Sequence, residues 1–224
     1  MNKNRTLERR LQLNMTLIGG FMGGFAIFNH NDLFGSAMTT NMISLALDFA
    51  GHNDDLMFYR FLAFLIYVAA MVLTVIIAHK ISTIFLKNIS IFIDATALII
   101  IGLLPKNTNP FVSLFPIFFS TAFQWCSFRG ADGFTSSSIF STNNLRQCTT
   151  GFAEYICNKD KNALKRGIYF GKVLISFHIG VIYSYFCCKS LSLRGAWLGI
   201  IPVATAFILN YMYNNNSNGK EVCI

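Results

Sequence analysis

Charge is what this chain has least of. Asp, Glu, Lys and Arg make up 12% of its 224 residues, about half the ~25% usual in soluble domains. With 54% of residues hydrophobic and a mean hydropathy of +0.50, so few charges exclude an ordinary water-soluble domain. Acidic residues are scarcer still, 10 against 18 basic ones, for a net charge of +8. A basic balance suits nucleic acid in a soluble protein, but in an apolar chain Lys and Arg collect in cytoplasmic loops. No nucleic-acid partner is expected. The six cysteines form no Cys-x-x-Cys pair and have no histidines interleaved at metal-ligand spacing, so neither a zinc site nor a disulfide framework is expected. His30, His52, His79 and His178 are scattered, so no metal cluster is expected. Nucleophile elbows, His-Glu-x-x-His, phosphate loops and dinucleotide fingerprints are all missing, so neither an enzyme nor a cofactor is expected.

Hydrophobic segments fill the rest. A basic start (Lys3, Arg5, Arg9, Arg10) precedes an apolar run from Leu13 to Phe28. No small-residue cleavage site follows it, so it reads as a first membrane helix rather than a signal peptide. Phe34 to Ala50 is apolar but short of the ~20 residues that span a bilayer, and Thr39, Thr40, Asn41 and Asp48 break it. Further spans are expected at Phe58–Ala78, Ile89–Leu104, Phe111–Phe128, Tyr169–Cys188 and Ala196–Met212, with a disordered polar tail over 214–224.

The distribution of cations tests this count of about six spans. With the N-terminus inside, the cytoplasmic side holds the N-terminal cations, Lys80, Lys87, Arg129, Arg146, Lys159, Lys161, Lys165, Arg166 and Lys220. Only Arg60, Lys106, Lys189 and Arg194 fall outside, and Lys172 lies in the fifth span. If Phe34–Ala50 crossed fully, Lys80 and Lys87 would move outside and the bias would weaken.

The broken segment has an echo. Aligning Thr39 with Thr142 and Asn41 with Asn144 also brings Phe25 onto Phe128 and Phe49-Ala50 onto Phe152-Ala153. Two repeats of three spans, over 1–104 and 105–213, follow from that register. An odd span number inverts the second repeat, a plan common among secondary transporters, whose sites lie near the midplane where interrupted segments meet.

The residues Gly20-Phe21, Phe34, Ser36 and Met38-Thr39-Thr40-Asn41, with Gln124, Arg129, Gly133 and Thr142-Asn143-Asn144-Leu145, resemble the two signatures of the YoaK family of small bacterial membrane proteins. Thr40 and Asn143 stand where that family has glycine, Gly23 where it often has an intramembrane Asp, and Trp125 where it has Asn. The resemblance implies a bacterial inner-membrane protein suspected of transport, without an established substrate.

The fold class read from the chain is therefore all-α integral membrane. It has about six transmembrane helices in two inverted three-helix repeats, each with a broken or re-entrant Thr/Asn segment. Both termini are expected in the cytoplasm, and the bilayer is its first partner. The expected function is transport of a small solute or ion. Thr39, Thr40, Asn41, Gln124, Arg129, Thr142, Asn143 and Asn144 are the substrate-binding candidates, because hydroxyls and amides beside unwound backbone coordinate polar ligands. Thr and Asn also cap helices, and that reading stays open. Asp94 and His178 are the proton-coupling candidates, since ionisable groups inside spans are costly and functional. For Asp94 an interfacial place near Asn88 and Ser90 is the alternative; for His178, a hydrogen-bonded core histidine. Gly19, Gly20, Gly23 and Gly24 form small-xxx-small pairs for close helix packing. The competing function is a scaffold or accessory subunit whose glycine face binds a partner. Substrate and coupling ion are not readable, and a homo-oligomer is left open.

Overall fold

The computed structural model describes residues 3–29, 38–105 and 107–218, with side chains to 216. The described residues form α1 (Lys3–Asn29), α2 (Met38–Ala50), α3 (Asp54–Ala78), α4 (Thr83–Leu103) and α5 (Pro110–Ser127), then a two-stranded hairpin of β1 (Gly130–Ala131) and β2 (Phe134–Thr135). They continue with α6 (Thr142–Asn158), α7 (Lys161–Leu191), a 3-10 segment (Ser192–Gly199) and α8 (Ile200–Asn218). Phe34 and Ser36 of the first signature, and Lys106, lie outside the described residues.

Local chemistry sets several boundaries. Ser82 caps α4 by accepting from the Phe85 N–H, and Asp160 caps α7 through the Asn162 N–H at 2.8 Å. Asn109 accepts from the Phe111 N–H at 2.9 Å, with Pro110 at the first helical position, where its missing N–H costs nothing. Leu104 turns extended ahead of Pro105, as residues before proline tend to. The hairpin turns on Asp132 (φ 57°) and Gly133 (φ 85°), the left-handed pair that a tight Asp-Gly hairpin requires.

Four helical stretches are long and apolar enough to cross a membrane: Lys3–Asn29, Asp54–Ala78, Thr83–Leu103 and Lys161–Asn216. Their outer faces carry large exposed apolar residues, such as Phe58, Phe61, Leu65, Val72, Ile175, Ile182 and Phe186. Such a surface belongs in hydrocarbon rather than water, and the protein is a membrane protein.

α1 is the axis of the bundle. Leu7, Leu11, Met15, Ile18, Met22 and Phe25 are all buried, and the helix packs mainly on α7, then on α8. Direction follows from the contacts. Leu13 accepts from Ser176 at 2.6 Å, Gly24 meets Ser184 and Phe28 stacks edge-on with Tyr185, so α1 and α7 run parallel. Met15 accepts from Gln124, and Met22 lies beside Ser120, so α5 runs against α1. α3 and α5 start together, with the Tyr59 and Phe111 rings stacked at 5.7 Å, and pack along each other in parallel. Asn14 reaches the Pro202 carbonyl and Asn4 that of Asn216, so α8 opposes α1. Asn210 reaches Ile84 while Trp197 reaches Ile99, so α8 also opposes α4. In chain order α1, α3, α4, α5, α7 and α8 therefore alternate in direction, while α2 lies along α3 and α6 along α7.

Several helix ends differ from the sequence expectation, and α7 starts eight residues before the expected Tyr169. α1 begins ten residues early, because Leu7 and Leu11 extend its buried stripe through the basic start. α8 runs on through Asn214, Asn215 and Asn216, where a disordered tail was expected; 219–224 lie outside the described residues. The sixth apolar run begins as the 3-10 segment and turns helical only at Ile200.

Candidate functional site

Close approach of α1 to its neighbours builds the site. A Cβ on Gly20 would sit 2.0 Å from the Phe177 carbonyl oxygen, and one on Gly180 2.0 Å from that of Leu17. Glycines therefore let the α1 and α7 backbones touch, as small residues do between membrane helices. One position earlier, Gly19 faces the irregular segment 136–141; a Cβ there would sit 2.2 Å from the Ser138 carbonyl oxygen. Gly23 is buried on the same helix. Gly19, Gly20 and Gly24 thus meet the segment and α7 within this chain.

Segment 136–141 climbs along α1 from Gln12, which bonds Ser136 at 3.3 Å, to the level of Gly19. There the chain reverses into α6, which descends α7 with Gly151 against Ala163 and Gly167. Asn144 secures the reversal. Its amide donates to the carbonyls of Ser137 and Phe140, both at 2.8 Å, and its Oδ1 accepts from the Ser137 N–H. Asn41 is buried at the equivalent place in the first turn of α2.

Beside this reversal runs a buried polar track. Asp94 on α4 is fully buried; one carboxylate oxygen accepts from the Ser120 hydroxyl of α5, and the other has no partner. The Ser120 hydroxyl also lies 3.7 Å from the Met22 sulfur. One turn along α5, the Gln124 amide donates to the Met15 carbonyl and to the Ser138 hydroxyl, each at 2.9 Å, and its Oε1 is unpartnered. Ser90, one turn before Asp94 on the same face of α4, is buried with an unpartnered hydroxyl, and so is Tyr67 on α3. Buried polar atoms are nearly always satisfied, so four such atoms without a partner, on Asp94, Gln124, Ser90 and Tyr67, make this the candidate site among the described residues. A charged carboxylate there costs about 3 kcal/mol at mid-membrane unless a proton or cation neutralises it.

The candidates from the sequence therefore separate. Asp94 is buried inside the bundle midway along α4, and Gln124 shares its α5 face with Asp94's partner Ser120. Asn41 and Asn144 are buried at the two broken segments, and Asn144 serves the backbone of its own loop. Thr39, Thr142 and Asn143 are exposed and Thr40 is half-buried; Asn143 accepts from Arg146. Arg129 is exposed and donates to the Cys126 carbonyl at the end of α5. His178 is not a core residue: it is exposed on α7 and bonds the Leu174 carbonyl of its own helix. The buried face of α7 runs through Tyr169, Val173, Gly180, Ser184 and Cys187, and position 178 falls off it.

Sequence reasoning missed Ser90, Ser120, Ser138 and Tyr67. For two of them a signal existed, since Ser90 and Ser120 lie four residues before Asp94 and Gln124, on the same helix faces. No group of three or more His, Cys, Asp or Glu among the described residues is placed to hold a metal.

Residues 11–209 match the model of the DUF1275 family, described as protein of unknown function. The chain belongs to that family. The match runs from within α1 to within α8, so both broken segments and the whole polar track of this DUF1275 protein lie inside it. No curated protein and no solved structure matches the chain.

Proposed function

We propose that the protein is a secondary transporter, not an enzyme, that moves a small polar solute or ion in exchange for, or together with, a proton carried by Asp94. The buried Asp94 carboxyl carries this reading: one oxygen accepts from Ser120, and the other is buried without a structural partner among the described residues. In the closed bundle the carboxyl is neutralised by its proton. When one side opens to water, the proton leaves and the polar solute or its water replaces it. Ser120, Gln124 and Ser90 supply the hydrogen bonds along the way.

The architecture that goes with this reading has six spans (α1, α3, α4, α5, α7 and α8), with α2 and α6 re-entrant. Helix direction supports it. α3 opposes α1, so residues 30–53 make no net crossing, and α7 opposes α5, so residues 128–160 make none either. Lys161–Asn216 holds 56 residues, about 84 Å as one helix against a hydrocarbon core of ~30 Å; it folds back at Ser192 instead. The pairings also exchange between halves: α1 with α7 as α5 with α3, α2 with α3 as α6 with α7, and α4 with α5 as α8 with α1. Repeats over 1–104 and 105–213, inverted by their odd span number, account for that exchange. The cation bias supports cytoplasmic termini, and the resemblance to YoaK proteins a bacterial inner membrane. The proposed binding centre moves from the Thr/Asn turns, where the sequence had put it, to the Asp94–Ser120–Gln124 track. The scaffold alternative is weakened because α7 and segment 136–141 already occupy the glycine face.

A thermal-stability screen against ions, amino acids, organic acids, sugars and nucleobases tests the proposal, run with wild type and Asp94→Asn. A ligand at a hundred times its Kd adds about 2.7 kcal/mol to the folded state. A stabilising solute whose effect vanishes in Asp94→Asn supports transport through this centre. Silence from a well-folded protein favours a non-transporting role.

A further inference from the structure

Where α1 and α7 begin side by side, the molecule has a second polar feature that the transport reading does not use. The start of α1, the hairpin and the first turns of α7 enclose a cavity of about 430 Å³, within the ~300–1,000 Å³ of small-molecule sites. Four cationic side chains line it, Arg5, Arg9, Lys165 and Lys172, against the single carboxylate of Asp132. That carboxylate is already engaged by Arg9 at 3.2 Å. Among the described residues no ion pair holds Arg5, Lys165 or Lys172. The other carboxylate with an influence here is Glu8, on α1 between the two arginines, whose field reaches Tyr169.

The wall of the cavity is built rather than draped. Tyr169, only 4% exposed, has its hydroxyl fixed by the Ala131 N–H at 3.0 Å and by Ser136 at 2.8 Å. Ser136 in turn bonds Gln12 of α1. The hairpin that carries Asp132 is therefore clamped between α1 and α7, which fixes the cavity's one carboxylate beside Arg9. Two larger cavities differ from it: the one between α2 and α3 is lined by Met42, Leu45, Phe49, Phe58 and other apolar residues, and the one between the end of α4 and the 3-10 segment has two cations, Lys189 and Arg194, against four at the α1–α7 mouth.

We propose that this cavity binds a phosphate group, presented either by an acidic phospholipid headgroup or by a free phosphate-bearing solute. Phosphate fits the donor set. Arg5 offers a planar fork for two oxygens, and Lys165 and Lys172 add point charges around the remaining ones. On the cytoplasmic side of the bundle, basic pockets between membrane helices meet acidic headgroups. The bound anion would tie the start of α7 to the start of α1 and, through Tyr169 and Ser136, steady the foot of the re-entrant segment.

The test uses the full-length protein in neutral detergent, titrated separately with dioctanoyl phosphatidylglycerol, dioctanoyl phosphatidylcholine and pyrophosphate, with apparent Kd read from thermal shift. The double variant Arg5→Gln/Lys172→Gln and the single variant Lys165→Gln alter exposed side chains, so both should fold; Lys80→Gln is the control for loss of a cation elsewhere. The expected result is binding of phosphatidylglycerol, pyrophosphate or both, and none of phosphatidylcholine. The double variant should weaken it at least about tenfold, Lys165→Gln less, and the control hardly at all. Phosphatidylglycerol alone identifies a lipid site, and pyrophosphate binding a site open to free anions. The proposal is overturned if neither anion binds wild type, if phosphatidylcholine binds equally, or if the control loses as much affinity as the double variant.

Discussion

Asn41 and Asn144 hold equivalent places near the starts of α2 and α6, yet among the described residues the contacts of the two half-length segments differ. In the second half, Asn144 alone makes three hydrogen bonds to its own loop. The approach segment is bonded to α1 through Gln12, to α5 through Gln124 and to α7 through Tyr169, and α6 meets α7 backbone to backbone at Gly151 and Gly167. In the first half, α2 buries only Met38 and Asn41 among its own residues. It leans on α3 across an apolar groove, pinned near its far end by Asp48 and Arg60 at 2.7 Å. Among the described residues, α6 and its approach segment are therefore tied to three helices, and α2 to α3.

The largest effect expected from breaking this contrast is at Gly19. Gly19→Leu drives a side chain into the Ser138 backbone, so destabilisation at or beyond the upper end of the ~1–3 kcal/mol usual for overpacking is expected. It would be read as a lower melting temperature or failure to purify as a monodisperse species. Gly171→Ala, whose Cβ would meet only the Cys148 sulfur at 3.5 Å, should be close to neutral on the same scale. Next comes the buried asparagine of the second half. Asn144→Ala strips three buried hydrogen bonds and should cost about 2–3 kcal/mol in melting curves. A loss under about 0.5 kcal/mol would mean that Asn144 does not secure the reversal. The smallest effect is at the far end of α2. Arg60→Gln should cost about 1 kcal/mol or less, while amide exchange across 42–50 speeds up and that across 145–158 stays unchanged. Topology sharpens the comparison without an energy scale: reporters fused in loops 51–55 and 158–166 should report opposite sides of the membrane, and the same side would sink the inverted repeat.

How much of this could be read from the residues depended on what each stretch of sequence advertises. Apolar runs of full length located α3, α4, α5, α7 and α8 to within several residues, because a lipid-facing helix needs no partner to declare itself. The start of α1 was hidden, since Arg5, Arg9 and Arg10 mask the Leu7–Leu11 stripe that buries it. The Thr/Asn turns were found as breaks, but which side chains turn inward depends on the path of 136–141, and no local pattern encodes a segment held by Gln12 and Gln124 from other helices. Asp94 stood out as the lone carboxyl in its span. Ser90 and Ser120 did not, because a hydroxyl in an apolar helix more often bonds its own backbone, as Thr74, Thr121 and Ser127 do. His178 misled for a related reason. Depth along a helix is legible, whereas the face it presents follows from how α7 packs on α1.

Proton movement driven by solute is the most direct test of the central claim. Proteoliposomes loaded with a pH-sensitive dye would be given an inward gradient of the solute identified by the stability screen, with wild type and Asp94→Asn compared at matched protein density. The account predicts a solute-dependent pH change with wild type and solute flux without one, or no flux, with Asp94→Asn. An equal pH change in both would remove Asp94 from the coupling and contradict the account.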